Sequence, residues 1–246
     1  MEILNFLLEN IVWVILAAFV IFIFAAAYYA NSAYDKYLQK FDELKNVKSR
    51  FRGSAYEFGK LLSEQFFNNQ ITLQTKPESE LKSHGSYSGN GVITLTPDLM
   101  HENNLSAIAV ISHEFGHAHQ HFFTKMLNKH SSNHRIISLL GNINLLLVIA
   151  GCILGFLYGY VYALLCLAFI AFNFLFAIIF KLQTVKIENN ASEIAIKMLK
   201  NINFDENEIT EIKALLKLAK RTYTADFLKA ILSWTGLVRR PNFFDF

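Results

Sequence analysis

Two long stretches of this chain carry no charged residue: residues 10–34, between Glu9 and Asp35, and residues 136–180, between Arg135 and Lys181. Apolar runs of this length must be shielded from water, which few folds can do. At about 1.5 Å per residue, a helix of about 20 apolar residues crosses a hydrocarbon core of about 30 Å. The first stretch holds one crossing; the second is long enough for two with a tight turn between them. We therefore expect three transmembrane helices, at about 10–30, 137–158 and 160–180. The composition agrees, since 53% hydrophobic residues exceeds what an ordinary soluble domain carries.

The flanking charges suggest an orientation. Ahead of the first span stand Glu2 and Glu9 and no Lys or Arg, the wrong charge for a cleaved secretory signal, so we read a retained anchor. After it come Lys36, Lys40, Lys45, Lys48, Arg50 and Arg52; Lys125, Lys129 and Arg135 precede the second stretch, and Lys181 and Lys186 follow it. The positive-inside rule then puts the N-terminus outside and residue 31 onward in the cytoplasm. The net charge of +3 is small and spread out, which speaks against nucleic acid as a partner. Cys152 and Cys166 both lie in the expected hairpin, match no zinc spacing and read as packing residues. Gly151, Gly155 and Gly159 recur every fourth residue and bare one helix face for close packing. Asn142, Asn144 and Asn173 should find hydrogen-bond partners within the bundle.

Residues 113–117 read His-Glu-Phe-Gly-His, an H-E-x-x-H motif, within a proline-free stretch from Leu105 to Phe123. Positions i and i+4 share a helix face, so His113 and His117 can hold one zinc ion. Glu114 is then placed to take a proton from a water that the metal has acidified. The preceding Ala107, Ile108, Ala109, Val110 and Ile111 make the helix apolar nearly all round, as in a buried helix. Polar groups ending a buried helix need partners, and a metal supplies them.

Around the motif, residues 31–70 look helical, residues 71–91 are polar and turn-rich, and Val92 to Thr96 give a short strand signal before Pro97. Thr96, Pro97 and Asp98 suit the start of a short helix, and Asn103 or Asn104 could cap the motif helix. Gln183 to Asn201 should continue the last span as a helix, and Glu206 to Trp234 should form one or two more. Ala225 to Val238 is apolar but short and charged, hence an amphipathic or core helix.

A catalytic zinc site takes three protein ligands. His119 and His121 project from other helix faces, and the astacin and matrix protease pattern fails because Gln120 and Phe123 stand where it needs Gly and His. Glu188 lies where the third span would emerge beside the motif helix and is the leading candidate; Glu193 competes.

The runs Ile93-Thr94-Leu95-Thr96-Pro97-Asp98, Ser106 to Val110, Ser112 to Ala118 and Gln120-His121, followed by Val185, Glu188, Ala191 and Ser192, resemble the YugP-type neutral zinc metallopeptidases of bacterial membranes. The resemblance runs from the N-terminal anchor to about Tyr223, and extends more distantly to the HtpX and CAAX-processing gluzincins. It implies His113, His117 and Glu188 as ligands of Zn2+, Glu114 as base and Tyr223 as oxyanion donor. Asn189 and Asn190 depart from the family's Phe-Asp, and Ser192 stands where the gluzincin motif ends in Asp.

The expectation is a mainly α, integral membrane gluzincin-like metalloprotease with a small β element at the active-site edge. It divides into an anchor (1–30), a cytoplasmic protease part with the motif helix (31–135), a transmembrane hairpin (136–181) and a helical C-terminal part with the third ligand (182–246). Such a protein would sit in the bacterial inner membrane and hydrolyse peptide bonds of membrane or misfolded polypeptides. The strand Val92 to Thr96 would bind substrate along its edge, and His84 could line the cleft. The competing reading is a zinc-stabilised membrane scaffold or chaperone-like protein without turnover, for which Glu114 has no use.

Overall fold

One helix of 44 residues, α1 (Glu2–Lys45), opens the chain and extends for about 66 Å. The computed structural model describes residues 2–81, 84–126, 146–147 and 149–233, with side chains from residue 17 onward apart from residue 19 and a few in the later helices. After α1 come α2 (Ala55–Phe67), β1 (Thr72–Thr75), β2 (Gly85–Ser88), β3 (Val92–Leu95), the one-turn α3 (Pro97–Met100) and the motif helix α4 (Leu105–His119). A short apolar helix, α5 (Ile149–Tyr158), precedes α6 (Tyr160–Asn201) and α7 (Glu206–Ser233). The protein is thus mainly helical with one small sheet.

Local chemistry sets the boundaries. The expected helical region 31–70 is broken between Lys45 and Ala55, and α2 restarts on a capping box in which Ser54 and Glu57 satisfy each other's backbone N–H groups. Asn68, in the left-handed conformation at φ 49°, ends it. Of the two candidate caps for α4, Asn104 does the work, accepting from the Ala107 N–H at 2.9 Å, while Asn103 donates to the Phe51 carbonyl. Gly159, at φ 101°, separates α5 from α6 in a conformation that glycine alone adopts readily. Gly151 lies against Cys166, so the two helices meet closely at a bare position, as the glycine spacing suggested.

The sheet order is β1-β3-β2, with β1 parallel and β2 antiparallel to β3. Two points correct the sequence reading. Residues 71–91, expected to be turns, contain two strands. And β3, expected to offer an edge to substrate, is the central strand with both edges paired; the outer edge near the motif is β2.

The core gathers Phe41 and Leu44 of α1, Phe58 and Leu62 of α2, Ile93 and Leu95 of β3, Ile108, Ile111 and Phe115 of α4, Leu199 of α6 and Ile212 of α7. At the other end of the molecule large apolar side chains face outward: Ile21, Phe24 and Tyr28 of α1, and Leu164, Leu165, Phe172 and Leu175 of α6. Among the described residues one helix, Leu164–Asn201, is long and apolar enough to cross a membrane. The first part of the expected span 137–158, up to residue 145, lies outside the described residues, as do the side chains of the first span before residue 17.

Candidate metal centre

The motif helix runs through the middle of the protein. Between Leu105 and Ala118 every side chain but the half-buried Val110 is buried, as the all-round apolar pattern predicts. Its closest neighbour is α6. A Cβ placed on Gly116 would stand 2.8 Å from the Ala191 carbonyl carbon, so the two helices touch backbone to backbone at the glycine inside the motif. One turn before Ala191 on α6 is Glu188, and the contact carries its carboxylate to the two histidines.

There the donors form a triangle. Glu188 Oε2 lies 3.1 Å from His113 Nε2 and 3.2 Å from His117 Nε2, and the two imidazole nitrogens are 3.2 Å apart. All three residues are buried. Ligands about 2.0–2.1 Å from a tetrahedral zinc stand about 3.3 Å from one another, so this triangle fits that ion with an adjustment of a few tenths of an ångström. Two imidazoles and one carboxylate are also a donor set that zinc takes in catalytic sites, with a fourth position open.

Each histidine is held by its other nitrogen. His113 Nδ1 lies 3.1 Å from Ser192 Oγ and His117 Nδ1 lies 3.1 Å from Gln120 Oε1, which leaves both Nε2 atoms facing the metal position. Gln120 is in turn fixed by donating to the Ile187 carbonyl at 2.7 Å and to Asn190 Oδ1 at 3.1 Å. Ser192 and Asn190, two of the departures from related motifs, thus supply support of their own. Neither Gln120 nor Ser192 was assigned a role from sequence. The available signals were their spacings, one turn beyond His117 and one turn beyond Glu188.

Charge in this buried pocket is set by competition. Burial pushes the Glu114 carboxyl up; the neighbouring His117 and His113 oppose that, and the Glu188 charge adds to it. Burial also disfavours ionised Glu188, but His117 and His113 outweigh it and hold the carboxyl well below its ordinary range. His117 shows the converse: burial lowers it, Glu188 more than compensates, and it is pushed up to about 9. A metal ion would displace that proton, because only neutral imidazole ligates.

The other expected site residues divide. Tyr223 of α7 comes to the site, where its hydroxyl donates to Glu188; burial and the charges of Glu188 and Glu114 push it well above its ordinary value. Tyr37 of α1, which the sequence reading did not select, is coupled to Glu114 and pushed up to about 12, mainly by burial. Glu193 is exposed, away from the histidines. His84 stacks on Phe41 at 4.2 Å, among Glu78, Asp98 and Lys45, while its neighbour Gly85 approaches Glu114. His119 packs on Phe123, and His121 reaches Tyr87, so both point elsewhere as expected.

A family described as "Putative neutral zinc metallopeptidase" matches residues 12–240. The chain belongs to this family. Zinc is therefore the cofactor, and the triangle of His113, His117 and Glu188 is the group of described residues that could hold it. The chain is also similar to the "Putative membrane protease YugP" of Bacillus subtilis (strain 168), with 30% identity over 143 residues, 57% of this chain and 60% of the relative. The match therefore spans less than two thirds of that relative's length. No solved structure matches the chain significantly.

Proposed function

We propose that this family member is a membrane-embedded zinc endopeptidase that hydrolyses peptide bonds of membrane or misfolded proteins. The observation that carries the reading is the buried triangle of His113, His117 and Glu188 with Glu114 on the same helix turn. A structural zinc site would fill its fourth position with protein and would have no use for a buried carboxylate beside it. When bound, zinc supplies a Lewis acid that lowers the pKa of a coordinated water and polarises the scissile carbonyl. His113, His117 and Glu188 hold it. Glu114 accepts the proton of the attacking water and passes it to the leaving amine, a role suited by the upward push of burial on its carboxyl. Tyr223, whose hydroxyl hydrogen rests on Glu188, would turn it to the developing oxyanion.

In this reading residues 1–30 anchor the chain, 31–135 and 182–246 build the protease, and 136–181 form a membrane hairpin. The basic flanks favour a cytoplasmic active site at the inner membrane. Glu188 lies seven residues beyond Lys181 on α6, about 10 Å along the helix axis, which keeps the metal position near the headgroups and suits membrane-attached substrates. An extended substrate would pair with β2, the outer strand. The test compares wild-type and Glu114→Gln protein at equal zinc content on an unfolded membrane polypeptide. Cleavage by the first alone supports the reading; no cleavage by either across varied substrates supports a zinc-stabilised scaffold.

A further inference from the structure

Resting on the membrane reading just proposed, we infer that Phe122 and Phe123, on the turn that follows the motif helix, are seated in the headgroup layer of the phospholipid bilayer, so that lipid holds the end of α4 and with it the height of the metal position. The two rings face outward, with 38% of Phe122 and 60% of Phe123 exposed. They stand side by side on the π-helical turn Gln120–Thr124, and both are backed by Phe67, whose ring lies 6.0 Å from the first and 5.8 Å from the second. Phe67 is itself buried and rests on Phe115 of the core at 5.5 Å. His121 lies 5.2 Å from the Phe122 ring and His119 4.7 Å from the Phe123 ring. The pair is thus packed from behind and bare in front, and an apolar patch of this kind on an otherwise polar surface marks a place of contact.

The packing of α4 on α6 points to what covers it. Gly116 lies against Ala191, and Gln120, four residues on, meets Ile187, four residues back. The helices are therefore antiparallel, and three further residues bring Phe123 to about the level of Thr184. That level is three residues beyond Lys181, about 4.5 Å along the axis from the charge that closes the apolar stretch. On its membrane side α6 turns Leu182 and Ile179 outward, so the two rings continue the band of apolar side chains proposed to face lipid. Charge complements the fit. The exposed Lys125 ends the turn in the left-handed conformation, at φ 52°, and Lys129 and Arg135 follow it in the sequence. Phenylalanine at the acyl boundary with lysine beside it at the phosphates is the make-up of an interfacial anchor. The anchor bears directly on the site, because the turn begins at Gln120, whose Oε1 holds His117 Nδ1.

The experiment uses full-length, zinc-loaded protein in vesicles of phosphatidylethanolamine and phosphatidylglycerol, with Trp13 and Trp234 replaced by Phe so that one new tryptophan reports. Phe123→Trp is compared with Leu165→Trp in the outward half of α6 and with Val47→Trp in the loop after α1. Zinc content and melting temperature check each variant, and Phe122→Trp gives a second reading should one larger ring disturb the packing on Phe67. An interfacial side chain sits about 5–10 Å into the headgroup and acyl boundary, so lipid brominated near the headgroup end of its chains should quench the Phe123→Trp reporter about twofold, and lipid brominated at the chain ends much less. Iodide in the water should reach the Val47→Trp reporter and spare the Phe123→Trp one. If brominated lipid quenches Leu165→Trp while Phe122→Trp and Phe123→Trp respond to iodide alone, the bilayer reading stands and the headgroup seat is overturned. If none of these reporters responds to brominated lipid, membrane reading and seat fall together. A Phe123→Trp signal that changes only when an unfolded polypeptide is added, or only with protein concentration, would give the patch to substrate or to a second copy of the chain and equally overturn the proposal.

Discussion

The two halves of α6 share one backbone and face two different surroundings. From Leu164 to Ile179 the large apolar side chains Leu164, Leu165, Phe169, Phe172 and Leu175 point outward and contact little of the protein. From Ile187 to Leu199 the helix is narrow, and Ile187, Glu188, Ala191, Ala195, Met198 and Leu199 are all buried against α4 and α7. Bulk serves the first half, where lipid is the proposed solvent. Smallness serves the second, because small residues let another helix come close enough for one carboxylate to meet two imidazoles. On that proposal a single continuous helix turns membrane position into the position of Glu188.

The strongest way to break this contrast is Gly116→Ala. The added methyl meets the backbone of Ala191 rather than a movable side chain, so the helices must part. We expect a loss of about 3 kcal/mol or more, with zinc binding abolished while membrane insertion of the lower half persists; zinc analysis and membrane fractionation of the same sample check both. Next in size is Glu114→Gln, which leaves the helix contact and the ligands intact. Hydrolysis should fall by about two to four orders of magnitude at unchanged zinc content, and normal turnover would remove Glu114 from the mechanism.

Two substitutions sharpen the contrast. Leu165→Lys places a charge in the outward half and should cost about 3 kcal/mol of membrane insertion. If instead it extracts into buffer as readily as wild type, the lower half does not lie in lipid. Gln120→Ala should lower zinc affinity by about ten- to a hundredfold through misorientation of His117, read by competition with a chelator. The smallest expected effect is on the zinc-free protein. There His117 is raised from 6.5 to about 9, chiefly by Glu188 working against burial. The pair contributes fully between pH 4.5 and 6.5; the contribution fades as pH rises through about 9 and His117 loses its proton, and in acid as Glu188 gains one. The melting temperature of stripped protein should therefore decline from pH 6.5 to 9, whereas zinc-saturated protein, whose His117 carries no proton, should show no such decline.

What the sequence disclosed followed the range of each interaction. His113, Glu114 and His117 are bound by one helical turn and could be read from five letters. The all-round burial of α4 followed from Ala107 to Ile111 in the same way. Glu188 is 75 residues from His113 and needed either the hairpin argument or a family resemblance. Ser192 and Tyr87 reach partners on other elements, which no local periodicity marks, whereas Gln120 holds His117 from one turn away, a spacing the sequence does carry. β1 and β2 escaped notice because Thr72–Thr75 and Gly85–Ser88 are short and mostly polar; pairing with the buried β3 makes them strands.

That separation of His113 and Glu188 has a bearing on biosynthesis. The ribosome delivers both histidines and Glu114 before residues 136–181, and Glu188 and Tyr223 only after them. A nascent chain stalled anywhere before residue 188 holds two imidazoles, too few donors for firm zinc binding. With the hairpin inserted as proposed, the order of synthesis itself would withhold the third ligand until the chain is in its membrane, so an unfinished copy could not act on its neighbours.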